Sequence, residues 1–133
     1  MPLRVLVVDD CRDIRVILRI LLRQWGHESC EATDGLSALE AAREFHPDVA
    51  LLDLGLPGDV DGCEVGRRLR GDEALRGILL VAMTGSGQAE DVARCQEAGF
   101  DQHLLKPFDP ARLKALLARQ GRPELPPTAQ AGW

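Results

Sequence analysis

The sequence predicts an α/β domain built around a parallel sheet. Short β-branched runs alternate with segments whose apolar residues have helical spacing, which is the pattern of successive β-α-β units. The third predicted strand, residues 49–52, is continuously apolar, as expected where helices cover both faces of a sheet. The 133 residues suffice for one ordinary domain but not for two full-sized ones.

The first half of the chain predicts strand, helix, strand, helix. The first strand, residues 4–8, stops at two aspartates, and Gly26 ends the helix that follows. A second strand lies around residues 28–32, and a second helix at 36–45. The first helix has the spacing of one buried stripe, formed by Ile14, Ile17, Leu18, Leu21 and Leu22.

The second half continues the alternation. After the third strand, several glycines and Pro57 predict a loop, followed by a short helix at residues 63–69. A fourth strand is predicted at 78–83, and a helix at 88–97 that Gly99 closes. A fifth strand is predicted at 103–105, and a last helix at 111–118 with a stripe of Leu113, Leu116 and Leu117.

Composition and charge limit the functional classes. With 45% hydrophobic and 28% charged residues, the chain is typical of soluble globular proteins. A net charge of -5 argues against nucleic acid or a membrane surface as partner. No apolar run could span a bilayer and no signal peptide is evident, so a cytoplasmic location is expected. We predict one domain over residues 1–120 and a flexible Pro/Gly-rich tail over 121–133.

The four cysteines, Cys11, Cys30, Cys63 and Cys95, are widely spaced and include no C-x-x-C pair. That spacing gives no support to a structural zinc site, and without a secretion signal a disulfide framework is not expected. We expect most of them to be small core residues.

Polar side chains follow four of the predicted strands. Asp9 and Asp10 follow the first strand, Asp53 the third, Thr84 the fourth and Lys106 the fifth. In open α/β sheets, ligands bind outside the carboxyl ends of the strands, so these residues share one pocket if the strands adjoin. Taken singly, each aspartate is also explained as a helix cap or turn residue, and the lysine as a surface residue.

A pocket of this kind has a coherent chemistry. Three neighbouring carboxylates repel one another, and a cation relieves that repulsion. Oxygen ligands without thiolate or imidazole favour Mg²⁺. A carboxylate can take a phosphoryl group covalently, while Lys106 and the Thr84 hydroxyl would face the phosphoryl oxygens.

Over roughly residues 3–119, the chain resembles the receiver domain of two-component response regulators. The resemblance implies a flavodoxin-like, doubly wound five-stranded parallel sheet with strand order 2-1-3-4-5 and five helices. It is carried by an ordered set of motifs: Val7-Val8-Asp9-Asp10, Ala32-Thr33-Asp34-Gly35, Leu51-Leu52-Asp53-Leu54-Gly55-Leu56-Pro57, Asp61-Gly62, Met83-Thr84-Gly85, Ala98-Gly99-Phe100-Asp101 and Lys106-Pro107-Phe108.

The resemblance implies a phosphoacceptor and a metal site. Asp53 would accept a phosphoryl group from the phosphohistidine of a histidine kinase or histidine phosphotransfer protein. Asp10, Asp53 and the backbone carbonyl of Gly55 would ligate Mg²⁺ directly, and Asp9 would hold the metal through water.

The resemblance also implies a switch. Lys106 would pair with the phosphoryl oxygens, Thr84 would hydrogen-bond the phosphoryl group, and the Lys106-Pro107 bond would be cis. His103 stands where the family usually has Tyr or Phe, which is more typical of receivers attached to hybrid histidine kinases; a half-exposed strand residue without a switch role is the alternative. The face formed by the fourth helix, fifth strand and fifth helix would bind a downstream protein target.

These observations favour a phosphoacceptor signalling domain rather than an enzyme, with only self-catalysed phosphoryl transfer and autodephosphorylation. Only a short tail follows the last helix, so no DNA-binding output domain is expected. The alternatives are a receiver segment of a hybrid histidine kinase and a phosphorylation-independent binding scaffold. Residues 9–13 lack both the phosphate loop of a flavin protein and the acid-x-acid-x-Thr run of an aspartate-based phosphatase.

Overall fold

The computed structural model describes residues 2–85 and 89–120, so the predicted tail at 121–133 lies outside the described residues. Strands and helices alternate along the described chain, and none of these helices is long and apolar enough to cross a membrane. The strands are β1 (Arg4–Val8), β2 (Glu28–Ala32), β3 (Val49–Asp53), β4 (Leu79–Thr84) and β5 (Gln102–Leu105). The helices are α1 (Arg12–Gln24), α2 (Gly35–Phe45), α3 (Gly62–Gly71), α4 (Ala89–Ala98) and α5 (Pro110–Gln120).

The five strands form one parallel sheet in the order β2-β1-β3-β4-β5, which confirms the predicted fold class. β1 and β3 are neighbours, and Val8 of β1 pairs with Leu52 of β3. The residue after each member of that pair therefore lies at the same edge of the sheet. Those residues are Asp9 and Asp53, so the sheet itself brings the two aspartates together.

Two hydrophobic cores cover the two faces of the sheet. Side chains of a strand alternate between faces, so Leu52 packs in the core under α2, α3 and α4, while Leu51 packs in the core under α1 and α5. Every residue of β3 is buried, as its continuously apolar sequence predicts. The predicted α5 stripe is confirmed by its three buried leucines, Leu113, Leu116 and Leu117.

The predicted stripe of α1 is wrong at one position. Leu18 and Leu22 are fully buried and Ile14 packs against the same core, whereas Ile17 is 48% exposed. Successive residues of a helix are rotated by about 100° around its axis. Ile17 therefore lies to one side of the buried stripe formed by Leu18 and Leu22. Ile20 is likewise half exposed, which gives α1 an apolar flank facing outward.

Helix ends differ from the predictions by one or two residues. Gly26 and Gly99 follow α1 and α4 with φ of 84° and 94°, a backbone region that favours glycine. α5 begins one residue earlier than predicted, at Pro110, because proline is tolerated in the first turn where its missing N–H has no helical partner. The carboxylate of Asp109 accepts a hydrogen bond from the Ala111 N–H at 2.9 Å and so caps this turn.

Candidate functional site

Three carboxylates meet at the carboxyl edge of the sheet. Oxygen atoms of Asp9, Asp10 and Asp53 all lie within 4.8 Å of one another. Asp9 is fully buried, Asp53 is 7% exposed and Asp10 is exposed. The adjacency of β1 and β3 produces this cluster, so the predicted convergence of the three aspartates is confirmed.

Lys106 places a positive charge beside two of these carboxylates. Its Nζ donates a hydrogen bond to Asp9 Oδ2 at 2.6 Å and lies 3.5 Å from Asp53 Oδ1. Its main-chain N–H donates to the Thr84 carbonyl at 2.8 Å, which fixes the end of β5 against the end of β4. The Lys106-Pro107 peptide bond is cis, as the resemblance implies.

Asp9 is held by contacts from three directions. One carboxylate oxygen accepts the Cys11 N–H at 2.9 Å and the other accepts Lys106. Its carbonyl accepts a hydrogen bond from the Arg15 guanidinium at 2.8 Å. Cys11, not Asp9 or Asp10, occupies the N-cap position of α1, so neither aspartate is explained as the cap of that helix.

The Asp53 carboxylate is held by a hydrogen bond to one oxygen and is uncovered on one flank. Its Oδ1 accepts a hydrogen bond from the Gly55 N–H at 3.1 Å. A Cβ atom added at Gly55 would lie 3.8 Å from that oxygen, so the lack of a side chain there leaves this flank of the carboxylate uncovered. Gly55 therefore lies beside the predicted phosphoacceptor, while the part of its carbonyl in metal binding stays a prediction.

The site shifts the proton affinities of its two central groups. Burial raises the pKa of Asp53; the Gly55 N–H and Lys106 act against this, and the charges of Asp9 and Asp10 add to it. Burial alone would lower the pKa of Lys106, but its hydrogen bond to Asp9 and the charges of Asp53 and Asp9 raise it above its usual value. Three carboxylates therefore surround one lysine, whose raised pKa keeps it protonated at neutral pH.

The raised pKa of Asp53 predicts a pH-dependent effect on stability in metal-free protein. The folded state binds the proton more tightly than the unfolded state, in which the Asp53 carboxyl has a pKa of about 3.9. The free energy of unfolding therefore falls as the pH rises from that value through the higher pKa of the folded state. Asp53→Asn removes the charge and is expected to make the chelator-treated protein more stable than the parent at pH 7.

That gain should shrink as the pH is lowered toward 4, where the parent carboxyl becomes neutral. Urea unfolding at pH 4.5 and pH 7 measures the difference. Asp59→Asn, the same substitution at an exposed position of the loop after β3, is the control for the general effect of replacing Asp by Asn. If Asp53→Asn is less stable than the parent at pH 7, the folded state stabilises the charged Asp53 carboxylate and the prediction is wrong.

Thr84 and His103 lie near the same edge of the sheet. Thr84 is the last residue of β4 and 8% exposed, and His103 in β5 is also 8% exposed. His103 pairs with Ala82, so strand alternation puts it on the sheet face that Ala82 and Thr84 share. His103 is thus a buried residue rather than a half-exposed one. Its carbonyl accepts a hydrogen bond from Arg112 of α5 at 3.0 Å.

Gly62 also shapes the site, in a way that no local sequence pattern indicates. Gly62, the first residue of α3, packs directly on the main chain of the acceptor: a Cβ there would overlap the Asp53 carbonyl oxygen and lie 2.9 Å from the Leu54 Cα. The preceding Asp61 caps α3 by accepting the Glu64 N–H at 2.9 Å. The Asp61-Gly62 pair marks a helix start, but only the packing shows which backbone the glycine meets.

Comparisons with known proteins agree with this geometry. A family model described as the response regulator receiver domain matches residues 5–118. The DNA-binding response regulator MtrA of Mycobacterium tuberculosis (strain ATCC 25618 / H37Rv) is 42% identical over 120 residues, covering 87% of this chain and 51% of that protein. The phosphate regulon transcriptional regulatory protein PhoB of Pseudomonas aeruginosa is 37% identical over 121 residues, covering 88% and 52%. The chain thus spans about half the length of the curated relatives it matches.

Solved structures show the same fold along nearly the whole of their own chains. The chemotaxis response regulator CheY4 of Vibrio cholerae superposes with a TM-score of 0.83 at 28% identity, covering 90% of this chain and 99% of that one. The receiver domain of the sensor histidine kinase PA1611 of Pseudomonas aeruginosa, which has a magnesium ion coordinated in its active site cleft, gives 0.82 at 29% identity, with 90% and 98% coverage. Because the family match extends over residues 5–118, this chain belongs to the response regulator receiver domain family.

Proposed function

We propose that Asp53 accepts a phosphoryl group, with Mg²⁺, from the phosphohistidine of a histidine kinase or histidine phosphotransfer protein. The observation that carries this proposal is the surroundings of Asp53. Its nearly buried carboxylate lies within 4.8 Å of Asp9 and Asp10 oxygens, and 3.5 Å from Lys106 Nζ. Membership of the receiver family makes the chain a signalling domain; the acceptor, the donor and the self-catalysed step are the proposal.

The transfer step uses the groups already in place. A carboxylate oxygen of Asp53 attacks the phosphorus, and the bond from phosphorus to the donor's imidazole nitrogen breaks with its electron pair passing to that nitrogen. Lys106, with its raised pKa, remains charged and faces the phosphoryl oxygens from beside Asp53 Oδ1. Positioning and charge neutralisation are the main requirements of phosphoryl transfer, and this arrangement meets both.

The donor set fits a magnesium ion. All three clustered side chains offer carboxylate oxygens, and the exposure of Asp10 leaves room for the waters that Mg²⁺ retains. Asp10, Asp53 and the Gly55 carbonyl would hold the ion directly. Asp9 already binds Lys106 and the Cys11 N–H, which supports a water-mediated role for it. When bound, the ion supplies positive charge that offsets the repulsion among the carboxylates and attracts the phosphoryl group.

Thr84 and His103 provide the proposed route from phosphorylation to partner binding. Thr84 ends β4 beside Lys106, and its hydroxyl would hydrogen-bond the phosphoryl group once it arrives. His103 is buried on the same face of the sheet, and its carbonyl is tied to α5 by Arg112. A movement of Thr84 would therefore reach β5 and the face formed by α4, β5 and α5, where a downstream protein would bind.

The kinase or phosphotransfer protein would meet the exposed flank of α1. This helix begins directly after the acidic pair, and its Ile17 and Ile20 are 48% and 50% exposed. Exposed apolar side chains on the helix that follows the acidic pair offer contact area to a partner whose histidine must approach Asp53.

Several features of the whole protein belong to the proposal. We propose a receiver domain at residues 1–120, a tail at 121–133 outside the described residues, and a cytoplasmic location without a nucleic-acid or membrane partner for this domain. The curated relatives are about twice as long, and MtrA and PhoB are named as DNA-binding or transcriptional regulators. A receiver within a hybrid histidine kinase remains the alternative, and one structural neighbour is the receiver domain of the sensor histidine kinase PA1611.

Incubation with acetyl phosphate tests the proposed function. With Mg²⁺ present, we expect one phosphoryl adduct, a gain of roughly 80 Da in intact mass. With a chelator in place of Mg²⁺, the adduct should be absent, because the carboxylate cluster then repels the donor. If neither acetyl phosphate nor a phosphorylated histidine kinase produces an adduct on protein that binds Mg²⁺, the proposed function is wrong.

A further inference from the structure

Two buried thiols lie where α3 packs against α4, outside the acidic cluster. Cys63 is the second residue of α3 and Cys95 lies in α4; they are 4% and 0% exposed. The two side chains belong to one buried hydrophobic cluster, and α3 and α4 pack against each other. All four cysteines of the chain are thiols in this structure, so the contact is not covalent. Although far apart in sequence, Cys63 and Cys95 therefore lie in the same buried cluster, beside the contact between Asp61 and Arg94.

The surroundings of the pair favour a thiolate at Cys63. The hydrogen bond from Cys95 lowers the pKa of Cys63 to about 7; burial and Asp61 oppose this lowering, while Arg94 and Arg67 support it. The first turn of a helix independently favours negative charge. Arg94 also lies 3.3 Å from Asp61, so a charged pair joins the same two elements beside the thiol pair.

We propose that Cys63 and Cys95 form a reversible disulfide between α3 and α4, with hydrogen peroxide or another small peroxide as the oxidant. The Cys63 thiolate attacks a peroxide oxygen; the oxygen–oxygen bond breaks, the leaving hydroxide takes up a proton to become water, and Cys63 becomes a sulfenic acid. The Cys95 sulfur then attacks the Cys63 sulfur and displaces hydroxide, which takes the Cys95 proton. Two thiols and one peroxide thus yield one disulfide and two waters.

The burial of Cys63 and Cys95 limits the size of the oxidant, and their position in the fold determines what a disulfide between them would restrain. With so little exposed surface, the pair admits a small peroxide more readily than a bulky disulfide such as oxidised glutathione. A dithiol reductant would restore the thiols by thiol–disulfide exchange. The disulfide would hold α4 against the first turn of α3, which follows the acceptor loop. On the proposed function, it would link α4, which forms part of the partner-binding face, to the start of α3.

The test uses the full chain with Cys11→Ser and Cys30→Ser, which leaves only the two paired thiols. After treatment with hydrogen peroxide at pH 7 and removal of the excess, the protein is denatured and alkylated with iodoacetamide. We expect a monomer about 2 Da lighter that takes up no alkyl group, and recovery of two alkylated thiols after dithiothreitol. Trypsin should release residues 44–67 joined to residues 95–112.

Two further samples keep the test decisive. In the unsubstituted chain, peptide mapping after the same treatment should show the same joined pair, which removes any dependence on how the serine variants fold. In Cys95→Ser, Cys63 should be recovered as sulfenic or sulfinic acid, because no thiol is left to resolve it. If both thiols remain open to alkylation after peroxide, or if Cys63 of the unsubstituted chain ends as sulfinic acid, the proposal is overturned. None of these readouts involves phosphorylation, so each proposal can fail alone.

Discussion

Asp53→Asn is expected to abolish the phosphoryl adduct that acetyl phosphate and Mg²⁺ produce on the parent chain. The amide has nearly the shape of the carboxylate, so it fits between the Gly55 N–H and Lys106. It lacks the negative charge and the lone-pair basicity that make a carboxylate oxygen a nucleophile toward phosphorus. Intact mass measured at several times after mixing gives the extent of phosphorylation, and the variant should stay at the unmodified mass.

The matched control is Asp59→Asn, which makes the same substitution at an exposed position of the loop after β3. It should gain the adduct as the parent does. Urea unfolding of Asp53→Asn at pH 7 establishes that the variant is folded, so that loss of the adduct can be ascribed to the missing carboxylate. An adduct retained on Asp53→Asn, located by peptide mapping on Asp9 or Asp10, would place the phosphoacceptor elsewhere in the cluster.

Most of the fold could be predicted from local patterns. Apolar runs and helical spacing placed the five strands and five helices to within one or two residues, because each element buries a distinct face. The strand order came from the family resemblance rather than from spacing, since no local pattern states which strands pair. The wrong prediction at Ile17 also arises because a local pattern does not show which elements pack against each other. A periodic stripe gives the average direction of burial, but the neighbouring elements decide where its edge lies.

The members of the acidic cluster could be predicted, but their different environments could not. Asp9 and Asp10 are adjacent in sequence and equally acidic, yet Asp9 is fully buried against Lys106 while Asp10 is exposed. This difference depends on how β1 ends and on where β5 places the lysine. The placement of Cys63 and Cys95 in one buried cluster likewise depends on the packing of α3 against α4, which cysteine spacing does not reveal.

Gly62 connects the stability of the fold to the position of the acceptor. It is the first residue of α3 and has no room for a side chain, because a Cβ would overlap the carbonyl oxygen of Asp53. The obstacle is backbone, so no rotamer change can relieve it. Either α3 moves away from β3 or the main chain of Asp53 shifts, and both changes disturb the site.

We expect Gly62→Ala to lower the free energy of unfolding by about 1–3 kcal/mol, the usual cost of overpacking. Alanine gains up to about 1 kcal/mol over glycine in a helix interior, and less at a first position, so the clash prevails. Because the displaced atoms belong to the acceptor residue, phosphorylation by acetyl phosphate should also slow under conditions where the variant is fully folded.

Gly71→Ala is the matched control at the other end of α3, where a Cβ would meet nothing within 4 Å. Its stability should equal or slightly exceed that of the parent, by up to about 1 kcal/mol, and its phosphorylation rate should be unchanged. Urea unfolding of the three proteins, with time-resolved mass measurement on the folded forms, separates the two effects. If Gly62→Ala is as stable as Gly71→Ala and is phosphorylated as fast, the close packing of α3 on Asp53 does not position the acceptor.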